Sequence, residues 1–181
     1  MRINGYSVGL ALAAVALAYG SRRRARGTNL ANVQSFTALP NVGIEDLTPG
    51  TLDWLRLWAT AAIQSGIPVT ITSGKRDARR QAKAMLAKVE RGEDLHALYR
   101  DDEQIADLLN GPRTVERWAE TIDRYAAMGR GVSNHLSGRA ADVRSRDWTP
   151  EQLRAAAALA TKMGAKRAII ESDHLHIEVG R

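Results

Sequence analysis

Residues 133–142 read Ser-Asn-His-Leu-Ser-Gly-Arg-Ala-Ala-Asp, and residues 171–179 read Glu-Ser-Asp-His-Leu-His-Ile-Glu-Val. The two stretches hold three of the four histidines of the chain, together with several carboxylates. A catalytic zinc ion takes three ligands from His, Asp or Glu and leaves a fourth position for water. The sequence therefore predicts a metal site built from His135, Asp142 and one imidazole of the second stretch.

The second stretch has the pattern of a half-buried strand. Its apolar residues at positions 175, 177 and 179 alternate with His174, His176 and Glu178, which is a period of two. Both histidines are therefore predicted to point to one face, where the metal would lie, while the apolar residues enter the core. In the first stretch, Gly138 allows the backbone to turn between the ligands.

The two stretches resemble the signature pair of the VanY-like D-alanyl-D-alanine carboxypeptidases and L-alanyl-D-glutamate endopeptidases. These zinc peptidases share their metal site with the hedgehog signalling domain. The first family motif is Ser-x-His, then Gly-x-Ala three residues later, then Asp, and residues 133–142 match it position by position. The second motif is an acidic residue three positions before a histidine, often within His-x-His. The resemblance covers about residues 45–181.

The resemblance implies a role for each residue that matches a motif. His135, Asp142 and His176 resemble the zinc ligands, Asp173 resembles the general base, and His174 resembles the auxiliary histidine beside the metal. Glu171 leaves an alternative open, because Glu-x-x-His is also a form of the second motif; Glu171 would then be the base and His174 a ligand. The assignment of Asp173 as the base and His176 as the ligand is favoured, because His176 lies inside the predicted strand and precedes Ile-Glu-Val.

A third match lies upstream, where residues 69–76 are predicted to form a strand that runs into a turn. This segment resembles the family's Ser-Gly-Tyr-Arg, whose arginine helps to hold a substrate carbonyl or carboxylate. Arg76 is expected to take that role, although Lys75 stands in place of the usual aromatic residue. His96 is interpreted as an ordinary polar residue outside the site.

The chain is predicted to have three parts. Residues 1–26 form an apolar anchor or signal-like segment with a basic flank, residues 27–45 a linker, and residues 46–181 the zinc peptidase domain. The uncharged run at 6–20 is shorter than the roughly 20 residues of a spanning helix. It fits a signal peptide, a short membrane anchor or a helix buried against a partner. Four arginines between 22 and 26 disfavour clean export, so a membrane-associated anchor or uncleaved signal is favoured.

For the domain, the sequence predicts an α+β fold in which helices pack on a small, mostly antiparallel sheet. An apolar helix is predicted to precede the domain in the chain. Thr48 and Pro49 predict a helix start, and Thr149 with Gln152 predicts a capping box. Residues 77–90 are expected to form a helix with Lys88 facing outward. Residues 92–112 are expected to form one short helix between two loops. The prediction is completed by three more helices, over about 49–64, 113–128 and 150–163. It also includes four strands, near 69–72, 141–145, 168–170 and 174–179.

Composition narrows the function classes. The absence of cysteine excludes a disulfide framework and a thiolate zinc site. A net charge of +6 predicts attraction to polyanions such as cell-wall polymers, anionic lipid or nucleic acid. The resemblance implies zinc-dependent hydrolysis of an amide bond in the stem peptide of peptidoglycan, as an endopeptidase or a D,D-carboxypeptidase. Such an enzyme would act in the cell envelope, membrane-associated or periplasmic, or as a phage lysin or virion-associated wall hydrolase.

A rival interpretation is a non-catalytic, membrane-tethered or virion structural protein that retains a structural zinc site. The acidic residues at both candidate base positions, Glu171 and Asp173, favour the enzyme, because a structural site does not require them. Nucleic-acid binding through the arginine cluster is disfavoured, because the same four charges also fit the flank of a membrane anchor.

Overall fold

The computed structural model describes residues 36–99 and 101–180, within which the chain forms five strands and six helices. The strands are β1 (Thr37–Ala38), β2 (Thr70–Ser73), β3 (Ala140–Arg144), β4 (Ala165–Ile170) and β5 (His174–Val179). The helices are α1 (Pro49–Gln64), α2 (Ala78–Glu90), α3 (Leu95–Leu98), α4 (Asp102–Asn110), α5 (Val115–Ala127) and α6 (Pro150–Lys162). The predicted α+β class is confirmed.

The strands form one mixed sheet in the order β1-β2-β3-β5-β4. β1 runs parallel to β2, and the other three neighbouring pairs are antiparallel. The prediction of a mostly antiparallel sheet is therefore confirmed. The central position of β3, with β5 beside it, brings both predicted metal-binding stretches to the middle of the sheet.

The predicted helix starts are confirmed by their capping contacts. The hydroxyl of Thr48 accepts a hydrogen bond from the amide of Thr51, and Pro49 occupies the first turn of α1. At α6 the hydroxyl of Thr149 accepts from the amide of Gln152, whose side-chain oxygen accepts from the amide of Thr149 in return. These contacts satisfy backbone donors that a helix terminus otherwise leaves unpaired.

Two predictions for the middle of the chain are wrong. Lys88 does not face outward but is 7% exposed, because it lies three residues after the buried Met85 and so on the same face of α2. Residues 92–112 contain two helices instead of one, since Asp94 and Asp101 each cap a helix start.

Two separate groups of buried side chains stabilise the fold. The first, here called the sheet core, lies between one face of the sheet and helices α1 and α6, and includes Trp54, Trp58, Val143, Leu159, Leu175 and Ile177. The second, here called the helical core, joins α2, α3, α4 and α5, and includes Met85, Leu95, Ile105, Trp118 and Ile122. The opposite face of the sheet is thus left to face the helical layer.

Residues 36–48 pack against the turn that follows β2. Val42 and Leu47 are buried. The amides of Gly74 and Lys75 donate to the carbonyls of Val42 and Gly43, at 2.6 and 2.9 Å. Most of this segment falls within the predicted linker, and the structure holds it in place through its backbone.

No helix within the described residues is both long enough and apolar enough to cross a bilayer. The predicted anchor at residues 1–26 and its apolar helix lie outside the residues that the structure describes.

Candidate metal centre

The sheet register places Asp142 beside His176. The two residues stand directly opposite each other in the antiparallel pair of β3 and β5. Opposed side chains of such a pair lie on the same face, with their Cβ atoms about 5 Å apart. As a result, Asp142 Oδ1 lies 2.8 Å from His176 Nδ1. Alternation places both side chains on the sheet face away from Val143 and Leu175, which enter the sheet core.

His135 completes the cluster from the loop before β3. Its Nε2 lies 3.1 Å from Asp142 Oδ1 and 3.2 Å from His176 Nδ1. The loop folds back at Gly138, which has φ of +66° and whose carbonyl accepts from the amide of Thr48. A side chain there would meet the carbonyl of Asp46, so the turn requires glycine both for its φ and for space.

Polar contacts on the outer ring nitrogens, a hydrogen bond for His135 and an ion-pair contact for His176, orient both imidazoles. His135 Nδ1 lies 2.6 Å from the carbonyl oxygen of Gly74, which can only accept, so Nδ1 carries the hydrogen. The neutral ring then presents the lone pair of Nε2 to the cluster. His176 Nε2 faces Glu178 Oε1 at 3.6 Å, which leaves Nδ1 toward Asp142. Such partners fix the tautomer and direction of histidines that bind metals.

The donor set and its spacing fit a metal ion. Two imidazole nitrogens and one carboxylate oxygen converge with separations of 2.8–3.2 Å. A tetrahedral ion with bonds of about 2.0–2.1 Å separates its ligand atoms by about 3.3 Å. His135 and Asp142 are buried and His176 is half-buried, so the cluster is closed on one side and reachable on the other. The structure thus confirms a cluster of His135, Asp142 and His176 that could bind a metal ion.

The charges of the cluster favour an ionised carboxylate. Burial alone would raise the pKa of Asp142, but His135, His176 and Arg76 outweigh it and hold the pKa well below its ordinary value. Burial lowers the pKa of His135, which favours the neutral ring. Burial also lowers the pKa of His176, but Asp142 and Glu178 outweigh it and raise the pKa to about 9. A cation bound at this site would displace that proton, because only the neutral ring binds a metal.

Arg76 lies directly behind Asp142. Its Nη2 contacts Asp142 Oδ2, its Nε donates to Ser73 Oγ at 2.7 Å, and its Nη1 lies 3.4 Å from Gln81 Oε1. All three guanidinium nitrogens therefore have partners within the protein. The structure places Arg76 as a support for the carboxylate of Asp142; its contact with a substrate stays a prediction.

The other predicted site residues surround His174. Its Nδ1 lies 2.6 Å from Asp173 Oδ1, and its Nε2 lies 3.2 Å from Glu171 Oε2 and 3.6 Å from Asp142 Oδ1. Asp173 is largely exposed, with 68% of its side chain accessible, whereas the side chain of Glu171 is 10% exposed. His96 pairs with Asp102 and does not line this region.

A cleft of about 330 Å³ opens over the cluster. One wall is the sheet face with His176, and the other is the helical layer with Lys88 and Tyr99. Sequence reasoning missed Lys88, which contacts Glu171, and Tyr99, whose hydroxyl lies 3.5 Å from Gln81 Nε2. The three-residue spacing of Lys88 from the apolar Met85 indicates that Lys88 lies on the buried face of α2. No pattern in the sequence indicates that Tyr99 lines the cleft.

No protein-family model, curated protein or solved structure matches the chain.

Proposed function

We propose that the protein is a zinc-dependent peptidase that hydrolyses an amide bond in the stem peptide of peptidoglycan. The observation that carries the proposal is the convergence of His135, Asp142 and His176 at the base of an open cleft, with further acidic residues at its rim. These are also the residues through which the sequence resembles the VanY-like carboxypeptidases and L-alanyl-D-glutamate endopeptidases.

Zinc is the proposed metal because the donors are two nitrogens and one carboxylate oxygen, which leaves a fourth position for water. When bound, zinc supplies Lewis-acid polarisation of a carbonyl and lowers the pKa of water. His135 and His176 would present their inner nitrogens, and Asp142 its Oδ1. Arg76 would keep that carboxylate ionised and directed at the metal.

Asp173 is the proposed general base. Burial raises the pKa of the alternative, Glu171, but hydrogen bonds from His174 and Lys88 outweigh it and lower the pKa to about 2. A group with so low a pKa is a weak proton acceptor near neutral pH. Asp173 would accept a proton from the attacking water and pass it to the leaving amine, while His174 holds its carboxylate.

The open cleft favours this proposal over a purely structural zinc site, because a structural site is closed on all sides. Either a terminal D-alanine or an internal amide bond would fit the proposed chemistry. The proposed place of action is the bacterial envelope, where residues 6–20 would associate with the membrane, or a phage virion.

The test is release of fragments from purified sacculi by the full-length protein, with zinc and with a chelator. We expect release that the chelator stops and added zinc restores, and fragment masses that identify the bond. His135→Ala should bind no zinc and release nothing, whereas His96→Ala, the matched control outside the cleft, should retain both. A folded, zinc-loaded protein that releases nothing would favour the structural rival.

A further inference from the structure

Lys88 is a buried cation that spans the cleft from the helical wall to the sheet. Its side chain is 9% exposed, and its Nζ contacts Glu171 Oε2, in the connection between β4 and β5. The second carboxylate nearby, Glu93 Oε2, is 4.0 Å away, and the ring centroid of Tyr99 is 5.8 Å away. Lys88 thus has its closest charged contact with a residue of the opposite wall.

Stability gives little reason for a charged pair at this place. Removing two charges from water is unfavourable, and apolar residues of similar volume often replace such a pair without loss of stability. The helical core already offers apolar neighbours on the same face of α2, Met85 among them. The pair instead brings Lys88 to Glu171, whose carboxylate also contacts His174.

Glu171 connects Lys88 to His174. The Glu171 Oε2 that Lys88 contacts is also the atom 3.2 Å from His174 Nε2. The other nitrogen of the same ring, Nδ1, holds the carboxylate of Asp173 at 2.6 Å. A contiguous set of contacts therefore runs from Lys88 through Glu171 and His174 to Asp173.

We propose that Lys88 is a positioning residue that, through Glu171, fixes the ring of His174 and with it the carboxylate of Asp173. Its effect on hydrolysis rests on the peptidase function proposed above, whereas its effect on His174 does not. Without Lys88, the half-buried carboxylate of Glu171 would lack its nearest cation and would turn toward water. His174 would then lose the partner that holds Nε2.

The test compares Lys88→Met with Lys88→Arg in the full-length, zinc-loaded protein, with exposed Lys83→Met on the same helix as the control. The readouts are the imidazole ¹⁵N resonances of His174, the zinc content, and kcat and KM for a soluble stem peptide. We expect Lys88→Met to shift the His174 resonances, retain zinc and lower kcat about 10- to 100-fold, with KM little changed. Lys88→Arg should restore most of kcat.

The double variant Lys88→Met/Glu171→Gln separates positioning from stability, because it leaves no unpaired buried charge. It should regain the melting temperature lost in Lys88→Met, while the His174 resonances match those of Glu171→Gln alone. Unchanged His174 resonances in folded Lys88→Met would overturn the inference, as would a further shift when Lys88→Met is added to Glu171→Gln. A wild-type protein without hydrolysis would defeat the proposed function, yet the resonances would still decide the role of Lys88.

Discussion

Gly74 places a backbone carbonyl where the Nδ1 hydrogen of His135 needs an acceptor. An alanine Cβ at position 74 would lie 2.5 Å from the carbonyl oxygen of Gly43 and 2.9 Å from its carbonyl carbon. Both are backbone atoms, which cannot rotate aside as a flexible side chain would. The spacing between two turns of the chain therefore determines the direction of His135, a proposed metal ligand.

Gly74→Ala is expected to weaken binding of the proposed zinc ion about 10- to 100-fold, because the acceptor of His135 must move. It should also lower the free energy of unfolding by about 1–3 kcal/mol through overpacking. Competition with a chromophoric chelator measures the first effect, and urea denaturation the second. Gly50→Ala is the control, since no atom lies within 4 Å of its added Cβ. Zinc affinity equal to wild type in Gly74→Ala would show that the carbonyl is not needed.

Asp173 and Glu171 can be distinguished by their amide variants. Asp173→Asn removes the proposed base and should lower kcat about 10²- to 10⁴-fold with zinc retained. Glu171→Gln should lower kcat by only about 10- to 100-fold, because Glu171 acts through His174 and not on the attacking water. Metal analysis and steady-state kinetics on both variants provide the measurement. A larger loss in Glu171→Gln than in Asp173→Asn would reverse the two assignments.

The sequence predicts all three members of the cluster, but strand alternation by itself does not choose between the two histidines of β5. The preference for His176 comes from its place inside the predicted strand and from the family resemblance, and the structure places His176 in the cluster. Strand alternation places His174 and His176 on one face, and either could then be a ligand. The register between β3 and β5 makes the choice, since it sets Asp142 opposite His176 and Arg144 opposite His174. Asp142 and His176 are 34 residues apart, and the alternation within one strand shows which residues share a face but not which residue of the partner strand lies opposite each of them.

At the scale of elements, Arg130 joins the end of α5 to the start of α4. Its Nη2 and Nε contact the two oxygens of Asp101, at 2.6 and 3.0 Å, and its Nη1 contacts Glu103 at 2.8 Å. Burial raises the pKa of Asp101, but hydrogen bonds from the Gln104 amide and from Arg130 outweigh it and lower the pKa below its ordinary value of 3.8.

A folded-state pKa below the unfolded value means that ionised Asp101 stabilises the fold. This contribution is fully present above pH 3.8 and is lost as the pH falls through the lower folded-state value. Asp101→Asn keeps the helix cap but removes the charge. Urea denaturation should show it less stable than wild type at pH 7, with the difference shrinking only below pH 3.8. Asp147→Asn, at an exposed pair, should change stability by under about 0.5 kcal/mol. A difference that is independent of pH would contradict the assignment.

Two elements show what periodicity alone cannot predict. In α2, the spacing of Lys88 from Met85 indicates a position on the buried face, but Glu171, the carboxylate that Lys88 contacts, lies 83 residues later and no local period identifies it. Residues 36–45 carry no hydrophobic period, because the contacts that hold them are largely backbone hydrogen bonds to the turn after β2. Capped helices such as α6 were predictable, since both capping partners lie within four residues of sequence.

For the whole molecule, the distribution of charge matters more than its sum. Five arginines and no acidic residue lie before residue 27, so the rest of the chain carries only +1 of the net +6. Attraction to an anionic wall or membrane is therefore predicted to depend on the first 26 residues, and to be independent of the cleft.

Replacing Arg22, Arg23, Arg24 and Arg26 with glutamine should weaken binding of the full-length protein to anionic vesicles and to sacculi. The loss should be largest at low salt, because the Debye length falls from about 30 Å at 0.01 M to about 10 Å at 0.1 M. Hydrolysis of a small soluble stem peptide should be unchanged. Co-sedimentation over a salt series is the measurement, and salt-independent binding by both proteins would contradict the electrostatic account.

Because the interior is divided into two cores, the sheet layer and the helical layer each contain their own tryptophans, whose fluorescence can report on that layer. Trp54 and Trp58 stack in the sheet core, with ring centroids 6.3 Å apart and planes inclined by 8°, and Trp148 packs beside them. Trp118 is the single tryptophan of the helical core. Fluorescence of a Trp118→Phe variant would thus come from the sheet layer alone, and its difference from wild type would report the helical layer. Comparison of the two proteins would therefore follow the two sides of the cleft separately, without an added dye.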